Sequence, residues 1–169
     1  MRLFVSVTLT PEFKKHIRRH TDMLRSAARK GRYPADENLH VTLAFIGEYG
    51  DVERVKKALD SVSFEGFEME STGFGNFRDI YYVGIRSKSR ALDRLSAAVR
   101  HELHEANIGF DRRPFKAHVT VGRDIIVCPE DVPEIKGSVR MTVSEFSLMS
   151  SAQINGKRVY GVLHTVKCR

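Results

Sequence analysis

The stretch Asn38-Leu39-His40-Val41-Thr42-Leu43-Ala44-Phe45-Ile46-Gly47 decides how this chain is read. Its pattern is that of a strand, in which residues i and i+2 share a face. His40 and Thr42 then point one way, while Val41 and Leu43 point the other way, toward a core. A second stretch, Arg113-Pro114-Phe115-Lys116-Ala117-His118-Val119-Thr120-Val121-Gly122-Arg123, repeats the arrangement. There His118 and Thr120 lie opposite Val119 and Val121. One copy falls in each half of the chain. If the halves pack face to face, two imidazoles and two hydroxyls meet in one cleft.

Outward from these strands, residues 2–8 predict a strand with Leu3, Val5 and Val7 on one side. Pro11 opens a helix that extends to about Lys30, burying Phe13, Ile17 and Leu24 and stopping at Gly31. Asp51 caps a second helix, through Val55 and Leu59 to about Val62. Strands at 64–69 and 80–85 flank a Gly-rich connection, Gly73-Phe74-Gly75-Asn76. A third helix covers about 90–106, with Leu92, Leu95, Val99 and Leu103 spaced for burial. Residues 139–149 and 157–166 read as a closing antiparallel pair around an Asn155-Gly156 turn. Each half offers a helix, a loop and a His-x-Thr-x strand. That weak duplication suits two similar lobes about a pseudo-twofold axis. No linker divides the chain, so residues 1–169 are expected to form a single bilobal domain.

The chain has 169 residues, 41% of them hydrophobic, which excludes wholesale disorder. No apolar run approaches the roughly 20 residues of a membrane span. The opening Met1-Arg2-Leu3-Phe4-Val5 begins in a strand pattern and lacks the apolar segment of a signal peptide. Cys128 and Cys168 match no metal or redox spacing, and a reducing, cytoplasmic setting is expected. A formal charge of +7 and a pI near 9.6 favour anionic partners, of which nucleic acid is the commonest. The first helix and its exit, from Lys14 and Lys15 through Arg18, Arg19, Arg25 and Arg29 to Lys30 and Arg32, are basic. They read either as a track for RNA or as a solvated face opposite Phe13 and Ile17.

Two histidines with ordinary pKa values of about 6.5 can hold opposite protonation states near neutrality. One takes a proton from a nucleophile while the other gives one to a leaving oxygen, an action worth about 10²–10⁴ in rate. Threonine hydroxyls can donate to the non-bridging oxygens of a phosphate diester. Other clusters are weaker. His16 and His20 lack the glutamate of a zinc helix and have Arg18 and Arg19 between them, so a solvated face is expected. His101 and His104 have no third ligand. Gly73 and Gly75 do not make a nucleotide-binding phosphate loop.

The two motif strands resemble the signature strands of the 2H phosphoesterase superfamily, and most closely those of the RNA 2′,3′-cyclic phosphodiesterases. Arg2-Leu3-Phe4-Val5-Ser6-Val7 and Glu145-Phe146-Ser147-Leu148 resemble that family's first strand and C-terminal end. The resemblance implies an α+β fold, bilobal, with two pseudo-symmetric lobes whose antiparallel sheets line a central cleft and whose helices lie outside. It implies metal-independent, cofactor-free hydrolysis of RNA or nucleoside 2′,3′-cyclic phosphates to 2′-phosphomonoesters. His40 and His118 become the catalytic pair, with His40 protonating the departing ribose O3′ and His118 activating water. Thr42 and Thr120 become phosphate-binding hydroxyls. Arg123 stands where the family often has a basic residue, either offering two donors to phosphate or serving as an ordinary surface arginine. Phe115 is either a platform for a base or a core phenylalanine. This chain has Ala117 where many relatives have proline, and Arg32-Tyr33-Pro34 where relatives often carry tryptophan. The implied partners are RNA with 2′,3′-cyclic phosphate ends or cyclic nucleotides, not a membrane, and the implied state is a monomer. The rival readings are 2′-5′ RNA end-joining or oligonucleotide cleavage, and a non-catalytic nucleotide- or RNA-binding module.

Overall fold

The computed structural model describes residues 1–169. Strand β1 (Arg2–Thr8) leads to Thr10, whose hydroxyl accepts the Phe13 N–H and caps helix α1 (Pro11–Ala27). Pro11 suits the first turn because a backbone N–H there has no helical partner. A short strand, β2 (Lys30–Arg32), and a 3₁₀ turn at Asp36–Asn38 precede the first motif strand, β3 (His40–Glu48). The Asp51 carboxylate accepts the Arg54 N–H and caps helix α2 (Val52–Asp60). Strands β4 (Phe67–Phe77) and β5 (Ile80–Ser87) form a hairpin, followed by helix α3 (Ala91–Glu105) and the second motif strand, β6 (His118–Ile126). Strands β7 (Arg140–Val143), β8 (Glu145–Ile154) and β9 (Lys157–Lys167) complete the chain.

The strands form two antiparallel sheets, in the orders β3-β1-β8-β9 and β2-β6-β5-β4-β7. The unit β1-α1-β3 in the first half matches β5-α3-β6 in the second. Helix α3 packs against β3 of the first sheet as well as β5 of its own. On α3, the Ser96 hydroxyl donates to the Leu43 carbonyl of the first sheet at 2.7 Å. Just past α1, the Arg29 N–H donates to the Ile126 carbonyl of the second sheet at 2.7 Å. One core of 31 buried residues therefore runs through both halves, and Val41, Leu43, Val119 and Val121 are each 0% exposed within it. Burying such a side chain is worth about 1.5–3 kcal/mol. A one-residue slip of either motif strand would put His and Thr into this core, so the register that exposes them is held by four apolar neighbours.

Three expectations are corrected. Helix α1 ends at Ala27 because residues 30–32 pair with β6 as an edge strand. Gly31 is a close-approach position, not a helix stop: a Cβ there would lie 2.5 Å from the Ile125 side chain. The glycines at 73 and 75 lie inside β4, and the hairpin turns later, at Arg78 with φ 54°. Glycine is needed at 75 because a Cβ would collide with the Tyr82 ring on β5. Finally, the segment 139–149 divides at Ser144. Its first part pairs with β4 in the second sheet and its second part with β1 and β9 in the first. The Asn155-Gly156 turn is as expected, with φ of 51° and 76° at its two residues. No helix is long and apolar enough to cross a membrane.

Candidate active site

Strand β3 is the edge of its sheet, and it packs against β6 of the other sheet. That packing brings the polar faces of both motifs to one cleft of about 1120 Å³, lined by His40, Thr42, His118, Thr120 and Arg123.

The rings are fixed in the same way. His40 Nδ1–H donates to the Asn38 carbonyl at 2.7 Å, and His118 Nδ1–H donates to the Lys116 carbonyl at 2.5 Å. A carbonyl only accepts, so Nδ1 carries the proton and Nε2 is the working nitrogen in both rings. His40 Nε2 lies 2.9 Å from the Thr42 hydroxyl. His40 is packed by Phe4 and Tyr160, with ring centroids 5.0 and 5.4 Å away. His118 is packed by Tyr82 and Phe77, at 5.2 and 5.5 Å. Phe4 on β1 and Tyr82 on β5 occupy equivalent strands of the two halves. The Asn38 side chain donates to the Arg158 carbonyl at 2.9 Å and ties the loop before the first motif to β9.

Both imidazoles are held below their ordinary pKa. For His40 the main cause is burial, reinforced by His118 and Arg123 and opposed by the Asn38 carbonyl. For His118 it is again burial, reinforced by Lys116 and Arg123 and opposed by the Lys116 carbonyl. Without an anion in the cleft both rings favour the neutral form. A bound phosphate reverses that balance by supplying the missing negative charge.

Arg123 is exposed and lines the cleft. Phe115 does not: it is half-buried against the hydrophobic core, which corrects its reading as a base platform. The aromatic rings that do line the cleft are Phe4, Tyr33, Phe45 and Tyr160. Tyr160 had no local signal, since only the pairing of β9 with β8 carries it to the site. Asn38 and Lys116 act through backbone carbonyls, which side-chain patterns do not reveal. Of the basic first helix, Arg18 and Arg25 reach the cleft. The His16/His20 reading also needs correction. His20 is 3% exposed, donates from Nδ1 to the His16 carbonyl and accepts the Lys136 N–H at Nε2, so it ties α1 to the segment before β7. No three His, Cys, Asp or Glu side chains cluster as metal ligands would.

Comparison with known proteins agrees with this arrangement. The family model described as LigT like phosphoesterase matches twice, over residues 7–86 and 83–160, once on each motif. The RNA 2′,3′-cyclic phosphodiesterase of Archaeoglobus fulgidus is 32% identical over 153 residues, covering 86% of this chain and 82% of that protein. The Escherichia coli K12 protein of the same name is 28% identical over 165 residues, covering 94% of this chain and 92% of its own length. The apo crystal structure of Escherichia coli LigT superposes with a TM-score of 0.87 at 26% identity, covering 99% of this chain and 96% of that one. The same protein complexed with 3′-AMP gives 0.86 at 26% identity, covering 99% and 97%.

Proposed function

This chain belongs to the LigT-like phosphoesterases, and from that premise we propose that it hydrolyses 2′,3′-cyclic phosphate ends of RNA, or of a nucleoside, to 2′-phosphomonoesters. The observation that carries this reading is the pairing of two imidazoles in one cleft, each with Nδ1 bonded to a backbone carbonyl and Nε2 left as the working nitrogen, beside two threonines and a free guanidinium.

In the proposed reaction His118 Nε2 removes a proton from water as the water oxygen bonds to phosphorus. The P–O3′ bond breaks on the opposite side, and His40 Nε2–H protonates O3′. The 2′ ester bond stays intact, which leaves a 2′-phosphate and a free 3′-hydroxyl. Thr42, Thr120 and Arg123 donate to the non-bridging oxygens, where negative charge resides in the transition state. The surroundings support this division of roles. A charged His40 finds acceptors for both N–H groups, the Asn38 carbonyl and the Thr42 hydroxyl, until O3′ replaces the latter. Arg123 acts on both rings, but the Lys116 cation acts on His118 alone and favours the neutral form that a base needs. The bound phosphate supplies the charge that lets His40 take up its proton. The route passes through side chains alone and uses no cofactor. Both motifs come from one chain, which supports action as a monomer and as one functional unit. Two free cysteines suit a reducing cytoplasm.

The test is turnover of a 2′,3′-cyclic nucleotide with EDTA present, followed by identification of the product. A 2′-phosphate as sole product is expected. A 3′-phosphate, a 2′-5′ joined product, or no turnover would overturn the reading, and loss of activity with EDTA would overturn its metal independence.

A further inference from the structure

We infer that the exit of α1, together with β2, forms a second subsite that holds the backbone phosphate of an RNA strand upstream of the cyclic end. The preferred substrate is then an oligonucleotide, not a cyclic mononucleotide. The inference rests on the activity proposed above and specifies its substrate class.

A side pocket of about 420 Å³ is lined by Arg25, Ala28, Arg29, Lys30, Gly31 and Tyr33. Arg25 and Tyr33 also line the main cleft, so the two spaces share a wall. Helix α1 provides that wall: Arg18, Thr21, Asp22 and Arg25 fall at i, i+3, i+4 and i+7 on one face, and all four line the cleft. Arg29 lies beyond the end of the helix, where the chain turns to pair with β6, and stands in the side pocket. A strand leaving the histidines along this face meets Arg25 and Tyr33, then Arg29 and Lys30.

The pocket is built around the Tyr33 ring. A Cβ at Gly31 would lie 2.8 Å from the Tyr33 hydroxyl, and one at Gly122 would lie 3.3 Å from its ring. Two glycines on the paired strands β2 and β6 thus make the seat for the tyrosine. The Arg25 guanidinium stacks on the ring, 4.3 Å from its centroid. This stacked pair is a flat, cationic surface of the kind on which bases of single-stranded nucleic acid rest.

Charge separates the binding cations from the structural ones. Arg18 is neutralised by Asp36 at 2.6 Å and Arg32 by Asp124 at 2.5 Å. Arg25, Arg29 and Lys30 form no ion pair, and no acidic side chain lines their pocket. The closing carbonyls of α1 favour a cation nearby. Three unpaired cations in one concavity exceed that need and fit a phosphodiester.

The test uses Arg29→Gln/Lys30→Gln, both outside the catalytic cleft. Turnover of uridine 2′,3′-cyclic phosphate is compared with that of a pentanucleotide ending in the same group. Wild type should favour the pentanucleotide in kcat/KM. The variant should lose about tenfold on the pentanucleotide, mainly through KM, and nothing on the mononucleotide. A second arm titrates a fluorescent pentanucleotide ending in a 2′-phosphate by anisotropy. The variant should bind more weakly, and its slope of log K against log salt should flatten by about 0.7, the contribution of the one phosphate left without its cations. Equal kcat/KM for the two substrates in wild type, or unchanged affinity and salt slope in the variant, would overturn the subsite. If wild type turned over neither substrate, the activity reading would fail, while the anisotropy arm would still decide the subsite.

Discussion

His40 and His118 occupy the same tetrapeptide pattern and make the same bond from Nδ1 to the carbonyl two residues upstream, yet their surroundings differ. His40 lies on an edge strand, with Nε2 bonded to Thr42 and rings from β1 and β9 against it. His118 lies on a strand paired on both sides, and the Lys116 ammonium sits 5.3 and 5.9 Å over the Tyr82 and Phe77 rings that pack it. The repeated motif sets which nitrogen works. The non-repeated neighbours differ: the Lys116 cation acts on His118, and the Thr42 hydroxyl on His40 Nε2. In the proposed reaction these neighbours divide one pattern into an acid and a base.

The comparison is tested most strongly by removing each ring. His40→Asn and His118→Asn should each lower kcat by about 10²–10⁴ in the cyclic nucleotide assay. The double variant should be little worse than the poorer single one, because the pair acts as a unit. Next are the hydroxyls. Thr42→Val and Thr120→Val should each cost about 10² in kcat, the effect of removing one donor to a developing oxyanion. Only Thr42→Val should also move the alkaline limb of the pH profile to lower pH, since it removes an acceptor from the charged form of His40. Lys116→Gln is smaller, less than about tenfold at any pH. The Lys116 cation depresses the His118 pKa, so its removal raises that pKa and moves the acid limb to higher pH.

The smallest effect concerns backbone. Each motif strand passes through a left-handed residue after its motif, Gly47 with φ 84° and Asp124 with φ 54°. Gly47→Ala should lower stability by about 1 kcal/mol in urea unfolding, because a Cβ is strained there. Asp124→Gly should change stability less, as relief of the same strain offsets the missing pair with Arg32.

The alternation of His40-Val41-Thr42-Leu43 and His118-Val119-Thr120-Val121 makes the core and the cleft face legible in the sequence alone. Pro11 and Asp51 likewise mark two helix starts, and Asn155-Gly156 the last turn, while the Thr10 cap is seen only in the structure. What stays hidden depends on partners distant in the chain. Strand β2 is three residues long and exists as a strand because β6 is beside it. The change of sheet at Ser144 shows only as a shift of phase, from Met141 and Val143 to Phe146 and Leu148, which a bulge within one strand would also produce. Burial of His20 follows from the Lys136 backbone, far along the chain. Tyr160 reaches His40 through the pairing of β9 with β8, while Phe115, close to the second motif in sequence, turns to the core.

The most direct test is the pH dependence of kcat/KM for a 2′,3′-cyclic nucleotide in wild type, His40→Asn and His118→Asn. Wild type should give a bell, rising as His118 loses its proton and falling as His40 loses its own. His118→Asn should abolish the acid limb alone, and His40→Asn the alkaline limb alone. Limbs that persist in both variants, or that vanish in the exchanged order, would contradict the account.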